Sequence, residues 1–106
     1  MNINILTIFP EIFNVLESGV VSKPIKNKLL SIQALDIRKN SVNKHNHVDS
    51  KPYGGGEGMV MMAEPIVKTL KEIDKKKRGR VIFMSPQGKR LNQQKIISLS
   101  KLKNIT

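Results

Sequence analysis

Asn2-Ile3-Asn4-Ile5-Leu6-Thr7-Ile8-Phe9-Pro10-Glu11-Ile12-Phe13 is the stretch that decides the fold class. Ile3, Ile5, Leu6 and Ile8 form a mostly apolar, β-branched run of the kind a sheet buries on both faces. Pro10 stands where a helix can begin. Ile12, Phe13, Leu16 and Val20 then recur on one helical face, and Gly19 is available to end it. A buried strand feeding straight into a helix is the first half of a parallel crossover, because parallel neighbours need a helical connection.

The alternation continues outward from there. Pro24 opens a second helical stretch to Leu30, and residues 31–38 read as a second strand. Pro65 sits in the first turn of a helix carrying Ile66, Val67, Leu70 and Ile73, which runs out into Lys75-Lys76-Lys77-Arg78-Gly79. Val81-Ile82-Phe83-Met84 reads as a third buried strand. A last helix has Ile96, Ile97, Leu99 and Leu102 on its core side, and Asn104-Ile105-Thr106 begins a fourth strand. The predicted architecture is α/β, a parallel sheet with flanking helices in a single unit over residues 1–106, and the sheet reads as unfinished at Thr106.

Composition narrows the classes. The 106 residues carry 19 Lys+Arg against 8 Asp+Glu, a net charge of +11 and a pI near 10.2. No run approaches the roughly 20 apolar residues of a membrane span, and residues 1–5 have neither a basic leader segment nor a small-residue cleavage site. The expectation is a soluble, unexported, cytoplasmic protein with no membrane partner. With no cysteine, disulfides, thiolate zinc sites and cysteine nucleophiles are excluded. A pI above 9 is the electrostatic footprint of a polyanion binder. Yet Asn, Lys and Ile supply 37 residues (9, 15 and 13), a bias that AT-rich codons impose on any protein. Charge alone therefore leaves nucleic-acid binding and a generic basic surface both open.

Between Lys39 and Gly58 the periodicity lapses. This stretch includes Asn43, His45, Asn46, His47 and Asp49, and its length points to function or disorder. It ends in Pro52-Tyr53-Gly54-Gly55-Gly56-Glu57-Gly58-Met59, where four of the seven glycines fall within five positions. Glycines there permit positive φ and leave backbone N–H groups bare, so the loop can approach a base or a phosphate closely. No Gly-Lys-Ser/Thr follows, and the dinucleotide-binding spacing fails. On physics alone it is either a ligand-contacting loop or a flexible connector. Asp49 can accept hydrogen bonds from a base edge or simply be solvated. His45 and His47 lack the further ligands that a metal site needs. Ser85-Pro86-Gln87-Gly88-Lys89-Arg90 follows a strand and precedes a helix, which makes it a cleft wall in an open α/β sheet or an ordinary turn. The basic run 75–80 is a solvated helix end or a phosphate contact.

Taken together, Ile8-Phe9-Pro10-Glu11-Ile12-Phe13, Val48-Asp49 before the triple-glycine block, and Ser85-Pro86-Gln87-Gly88-Lys89 after a strand resemble the bacterial tRNA (guanine-N1)-methyltransferases of the trefoil-knot class, in order and approximate spacing over the whole chain. The resemblance implies methyl transfer from S-adenosylmethionine to N1 of the guanosine 3′ to the tRNA anticodon, by a homodimer, with magnesium as a suggested requirement. It implies that Asp49, Pro52, Tyr53, Gly54, Gly55, Gly56, Glu57, Gly58 and Met59 contact the guanosine. Met84, Ser85, Pro86 and Gln87 would line one side of the donor pocket, and Phe9, Pro10 and Glu11 would be scaffold near a dimer interface. The family's remaining donor loops, its acidic general base and its C-terminal tRNA-binding domain fall beyond Thr106. The expectation is therefore the N-terminal part of such an enzyme, with no catalytic residue of its own and inactive unless another polypeptide completes it. The alternatives are a noncatalytic RNA-binding or decayed remnant, and a basic structural or ribosome-associated protein that gives the triple glycine no role.

Overall fold

The computed structural model of the chain describes residues 1–41, 45 and 47–106. Asn43 and Asn46 of the polar stretch lie outside the described residues. Strand β1 (Asn2–Thr7) is the middle of a three-stranded sheet of order β2-β1-β5, where β2 is Ser31–Asp36 and β5 is Asn104–Ile105. Both pairings are parallel, Asn2 to Thr7 against Ser31 to Asp36, and Asn2 and Ile3 against Asn104 and Ile105. The expected α/β class with a parallel sheet and flanking helices is what forms.

The connections differ in detail from the expected helices. Residues Pro10–Glu17 wind as a 3₁₀ helix with no buried member, and α1 (Gly19–Lys26) starts at Gly19, whose φ of 68° turns the chain. Gly19 thus opens a helix instead of ending one. Pro24 lies inside α1, where it removes an N–H, and the helix stops two residues later. The carbonyl of Pro24 then accepts from the N–H groups of both Leu29 and Leu30 (2.9 and 3.1 Å). β2 ends at Asp36, two residues before the expected limit. Asp36 takes the backbone N–H of Arg38 (2.9 Å) and its guanidinium (3.0 Å), which caps a 3₁₀ turn, Ile37–Asn40. β3 (Asp49–Ser50), within the polar stretch, and β4 (Val60–Met61), just past it, form a short antiparallel ladder.

Helix α2 (Ala63–Glu72) carries Pro65 in its first turn and packs on the 3₁₀ turn. Pro65 and Thr69, four residues apart, are its fully buried members. Thr69 Oγ1 donates to the Pro65 carbonyl (2.8 Å) and accepts from Asn40 Nδ2 (3.1 Å), so this contact is polar at its centre. Asp74 then caps a short α3 (Lys75–Arg78), which separates the basic run from α2.

β1 does not bury its apolar residues on both faces: its one buried member is Asn4. Asn4 Nδ2 reaches Thr106 Oγ1 (3.0 Å) and the Lys77 carbonyl (3.2 Å), and Asn2 Nδ2 reaches Asn104 Oδ1 (2.7 Å). The stretch 81–84, expected as a buried strand, is neither regular nor buried; Phe83 and Met84 are about four-fifths exposed. Within it the Ile82 N–H donates to the Thr106 carbonyl (2.8 Å), and Arg80, just before it, bridges to Ile105. Helix α4 (Gln93–Ser100) leaves Ile96 and Ile97 nearly half exposed while Leu99 and Leu102 are half-buried, so its expected core side is covered only in part by the described residues.

Two outcomes follow from these contacts. A Cβ on Gly79, where φ is 64°, would collide with the Asn104 backbone carbonyl, whereas one on Gly54 would meet nothing within 4 Å. Gly79→Ala should cost about 3 kcal/mol in urea unfolding and Gly54→Ala about 1 kcal/mol; equal costs would contradict the close approach. The Arg38 guanidinium, by hydrogen bonding to Asp36, holds its carboxyl below the ordinary 3.8. Its stabilisation is then fully present above pH 3.8 and fades as pH falls below that value through the folded pKa. Asp36→Asn should lower Tm at pH 6, with the difference from wild type shrinking below pH 3.8; a difference that persists unchanged in acid would contradict it.

Candidate functional site

The β3–β4 ladder pairs Asp49 with Met61 and Ser50 with Val60, and the Met62 N–H closes its base on the carbonyl of buried Val48 (2.7 Å). Residues 51–59 therefore leave and return at a fixed base. Gly54, Gly55, Gly56 and Gly58 have φ of 88°, 84°, 126° and 86°, with nothing within 4 Å of a built Cβ. Conformation, not crowding, requires glycine here. The Gly55 N–H donates to the Pro52 carbonyl (3.2 Å), closing a turn that holds the Tyr53 ring fully in solvent. An exposed aromatic ring beside bare glycine backbone offers a base both a stacking face and N–H donors. Asp49 is exposed at the foot of the loop, and Glu57 and Met59 are exposed along it.

The second candidate lies past residues 81–84. The Gly88 N–H donates to the Ser85 carbonyl (3.0 Å) and the Gln87 N–H to Ser85 Oγ (3.2 Å), so Ser85 organises the turn twice. A Cβ on Gly88 would sit 3.1 Å from the Ser85 carbonyl oxygen. An open cavity of about 760 Å³ adjoins this turn. Met84, Ser85 and Pro86 line it; Gln87 does not and points to solvent. Phe83, Leu91 and Leu99 give it an apolar side suited to a flat ring, and Arg80, Lys89, Arg90 and Lys95 give it four cations.

That cationic grouping escaped the sequence reading. Arg80 reads as part of a basic run and Lys89 and Arg90 as part of the Ser85 turn, and no spacing rule brings positions 80 and 95 together. The two candidate regions meet only indirectly. A second cavity of about 750 Å³ is walled by Val60 and Met61 at the foot of the glycine loop and by Phe83 and Met84 before the turn. Asp49 and residues 52–59 line neither cavity. His45 and His47 have ring centroids 5.8 Å apart, and among the described residues no three His, Asp or Glu side chains gather as metal ligands. No helix is long and apolar enough among the described residues to cross a membrane.

Comparison with known proteins adds to this geometry. The family model described as tRNA (Guanine-1)-methyltransferase TrmD matches residues 1–106. A tRNA (guanine-N(1)-)-methyltransferase of Finegoldia magna is 50% identical over 106 residues, covering 99% of this chain and 45% of its own length. One from Clostridium botulinum (strain Alaska E43 / Type E3) is 42% identical over 105 residues, covering 99% and 44%. The crystal structure of the tRNA (m1G37) methyltransferase from Aquifex aeolicus superposes with a TM-score of 0.87 at 33% identity, over 99% of this chain and 48% of that one. The chain thus spans a little under half the length of the relatives it matches.

Proposed function

The chain belongs to the tRNA (guanine-1)-methyltransferase family, and on that premise we propose that it serves S-adenosylmethionine-dependent methylation of N1 of the guanosine 3′ to the anticodon of tRNA. On this reading residues 1–106 are the N-terminal part of a cytoplasmic, homodimeric trefoil-knot enzyme. They supply the guanosine-contacting loop and one wall of the donor pocket. The proton acceptor and the tRNA-binding domain come from polypeptide outside them, and residues 1–106 are inactive alone. The observation that carries the reading is the glycine loop, four positive-φ residues of which Gly54, Gly56 and Gly58 keep bare N–H groups, with Tyr53 within it and Asp49 at its foot.

Guanine N1 is protonated at neutral pH, so the reaction needs a base, stabilisation of charge growing on the guanine oxygen, and close alignment with the methyl group. Bare backbone donors of Gly54, Gly56 and Gly58 suit the oxygen. Asp49 suits the exocyclic amine, which adenine does not place on that edge. Tyr53 offers a stacking face for an unstacked base. The residues of the turn cavity fit a donor on one side: Phe83 and Leu99 suit its adenine, and the cations suit its carboxylate. When bound, S-adenosylmethionine supplies an electrophilic methyl group. Ser85, by fixing the turn, holds that wall in place. Magnesium has no ligand cluster among the described residues, and the proposal assigns it no residue here.

Four cations in the cavity also favour a second reading, RNA binding without catalysis, since the donor offers them one carboxylate whereas RNA offers a phosphate at every nucleotide. Anticodon stem-loop RNAs separate the two. The guanosine form should bind about tenfold tighter than its adenosine counterpart, and Asp49→Asn should erase the difference, as loss of one charged hydrogen bond predicts. Equal binding of both RNAs would support the second reading. Methylation of tRNA by the 106-residue chain alone, at a rate comparable with that of the Finegoldia magna relative, would overturn its assignment as a partial enzyme.

A further inference from the structure

Because every pairing in the sheet is parallel, all its segments enter at one end, and the chain that leads into them gathers there. Ser31, the first residue of β2, donates to the Met1 carbonyl (2.9 Å), and Asn2 donates to the Lys103 carbonyl (2.8 Å) just ahead of β5. Beyond β5, Asn104 Nδ2 holds the Lys76 carbonyl (3.0 Å) and Asn4 Nδ2 the Lys77 carbonyl (3.2 Å). Arg80 bridges to Ile105 in parallel, so α3 stands before that edge as residues 27–30 stand before β2. Four entries thus lie side by side across about 14 Å, three strand spacings. The Ser85 turn is at the opposite end, past residues 81–84.

Lysine is concentrated at these entries. Residues 26–30, 74–79 and 101–103, fourteen positions in all, hold seven of the fifteen lysines and one of the eight acidic residues, Asp74. AT-rich codons enrich lysine without regard to the fold, so they do not account for its gathering at one end of a sheet. All seven are exposed, and none is in an ion pair among the described residues. The Asp74 carboxylate is turned onto the Lys76 N–H (2.9 Å). The carbonyls of Lys76, Lys77 and Lys103 are tied to the sheet, so these side chains stand on a fixed base. Lys28 has a φ of 58°, the one positive value of a non-glycine residue among those described. Glycine takes that conformation with less strain, yet the position just past α1 carries a cation.

We infer that the amino end of the sheet is a binding surface for the phosphate backbone of RNA, at the other end of the sheet from the Ser85 turn. Exposed lysines on a fixed base neutralise phosphates and position the nucleic acid, and they read no sequence. Lysine suits that task because a point charge serves a phosphate at any angle, without the planar two-bond match that arginine offers. β1 is six residues long, which sets the two ends of the sheet about 20 Å apart. An RNA that touches both therefore reaches well beyond one nucleotide, and this surface holds the body of the RNA. The choice of RNA over an anionic membrane rests on the tRNA reading proposed above, and not on which base the glycine loop meets.

Filter binding of full-length tRNA transcripts to the 106-residue protein over a range of salt concentrations tests it. The variant Lys28→Gly/Lys76→Gln/Lys103→Gln is compared with wild type and with a control of equal charge, Lys39→Gln/Lys68→Gln/Lys71→Gln, circular dichroism verifying that each is folded. The first variant should lose at least tenfold in affinity at 0.1 M salt, and its slope of log K against log salt should fall by about 2 to 3. The loss should be equal for transcripts with guanosine and with adenosine 3′ to the anticodon, while the control stays within about threefold of wild type. No loss, or equal losses in the two variants, overturns the inference, since net charge alone would then be at work. Binding of phosphatidylserine vesicles with no binding of tRNA overturns it as well. In the wild type, bound tRNA should shield Lys28, Lys76 and Lys103 from acetylation and leave Lys39, Lys68 and Lys71 reactive; the reverse pattern contradicts the surface. Wild-type protein that binds both transcripts equally would sink the guanosine reading and leave this one standing.

Discussion

The structure depends on three residues, Asn104-Ile105-Thr106, wedged between β1 and the segment beginning at Arg80. Backbone bonds tie them on both sides: Asn2 N–H to the Lys103 carbonyl, Arg80 N–H to the Asn104 carbonyl, Thr106 N–H to the Arg80 carbonyl and Ile82 N–H to the Thr106 carbonyl. Side chains repeat the connection, with Asn2 on Asn104, Asn4 on Thr106, and Thr106 Oγ1 on the Arg78 carbonyl (2.6 Å). Asn104 Nδ2 holds the Lys76 carbonyl (3.0 Å). A buried amide is tolerable only when its hydrogen-bonding groups are met, and Asn4 has two acceptors within reach. These bonds join the start of the chain, its basic middle and its end, and Gly79 is the point where two backbones pass too closely for a side chain.

One of the two candidate regions hangs from that wedge. Residues 81–84 leave it, run through solvent and deliver the Ser85 turn and its cations, in the position outside strand carboxyl ends where open α/β sheets bind ligands. The glycine loop is anchored separately, through its own two-residue ladder and the Val48–Met62 bond. The two halves of the site therefore have independent supports that share only a cavity wall. Substitutions in one should leave the other folded.

Much of this was legible in the sequence, for identifiable reasons. β1, β2 and α2 announce themselves through apolar periodicity and through Pro65, and the fold class follows from their alternation. The family was legible through motifs at long spacing, the triple glycine above all. What failed were places where long-range contacts decide. The periodicity over 10–17 suits an α-helix, but that segment has no buried residue to hold a regular one, and Gly19 redirects the chain. Val81-Ile82-Phe83-Met84 has the composition of a buried strand, but pairing with β5 covers only its start. The polar role of Asn2 and Asn4 is hidden inside an apolar run, since their partners are about 100 positions away. Gln87 sits within the expected motif yet faces away from the cavity, because its own N–H is turned onto Ser85.

The central claim is that this chain holds two separately anchored pieces of a methyl-transfer site, a guanosine loop and a donor wall. Titration of isotopically labelled protein, followed by amide chemical shifts, addresses it most directly. An anticodon stem-loop with guanosine 3′ to the anticodon should perturb Asp49 and Gly54 to Gly58, and S-adenosylmethionine should perturb Met84 to Gly88 with the glycine loop unmoved. Shifts confined to the basic run 75–80 with RNA, together with no response of the Ser85 turn to saturating S-adenosylmethionine, would contradict it.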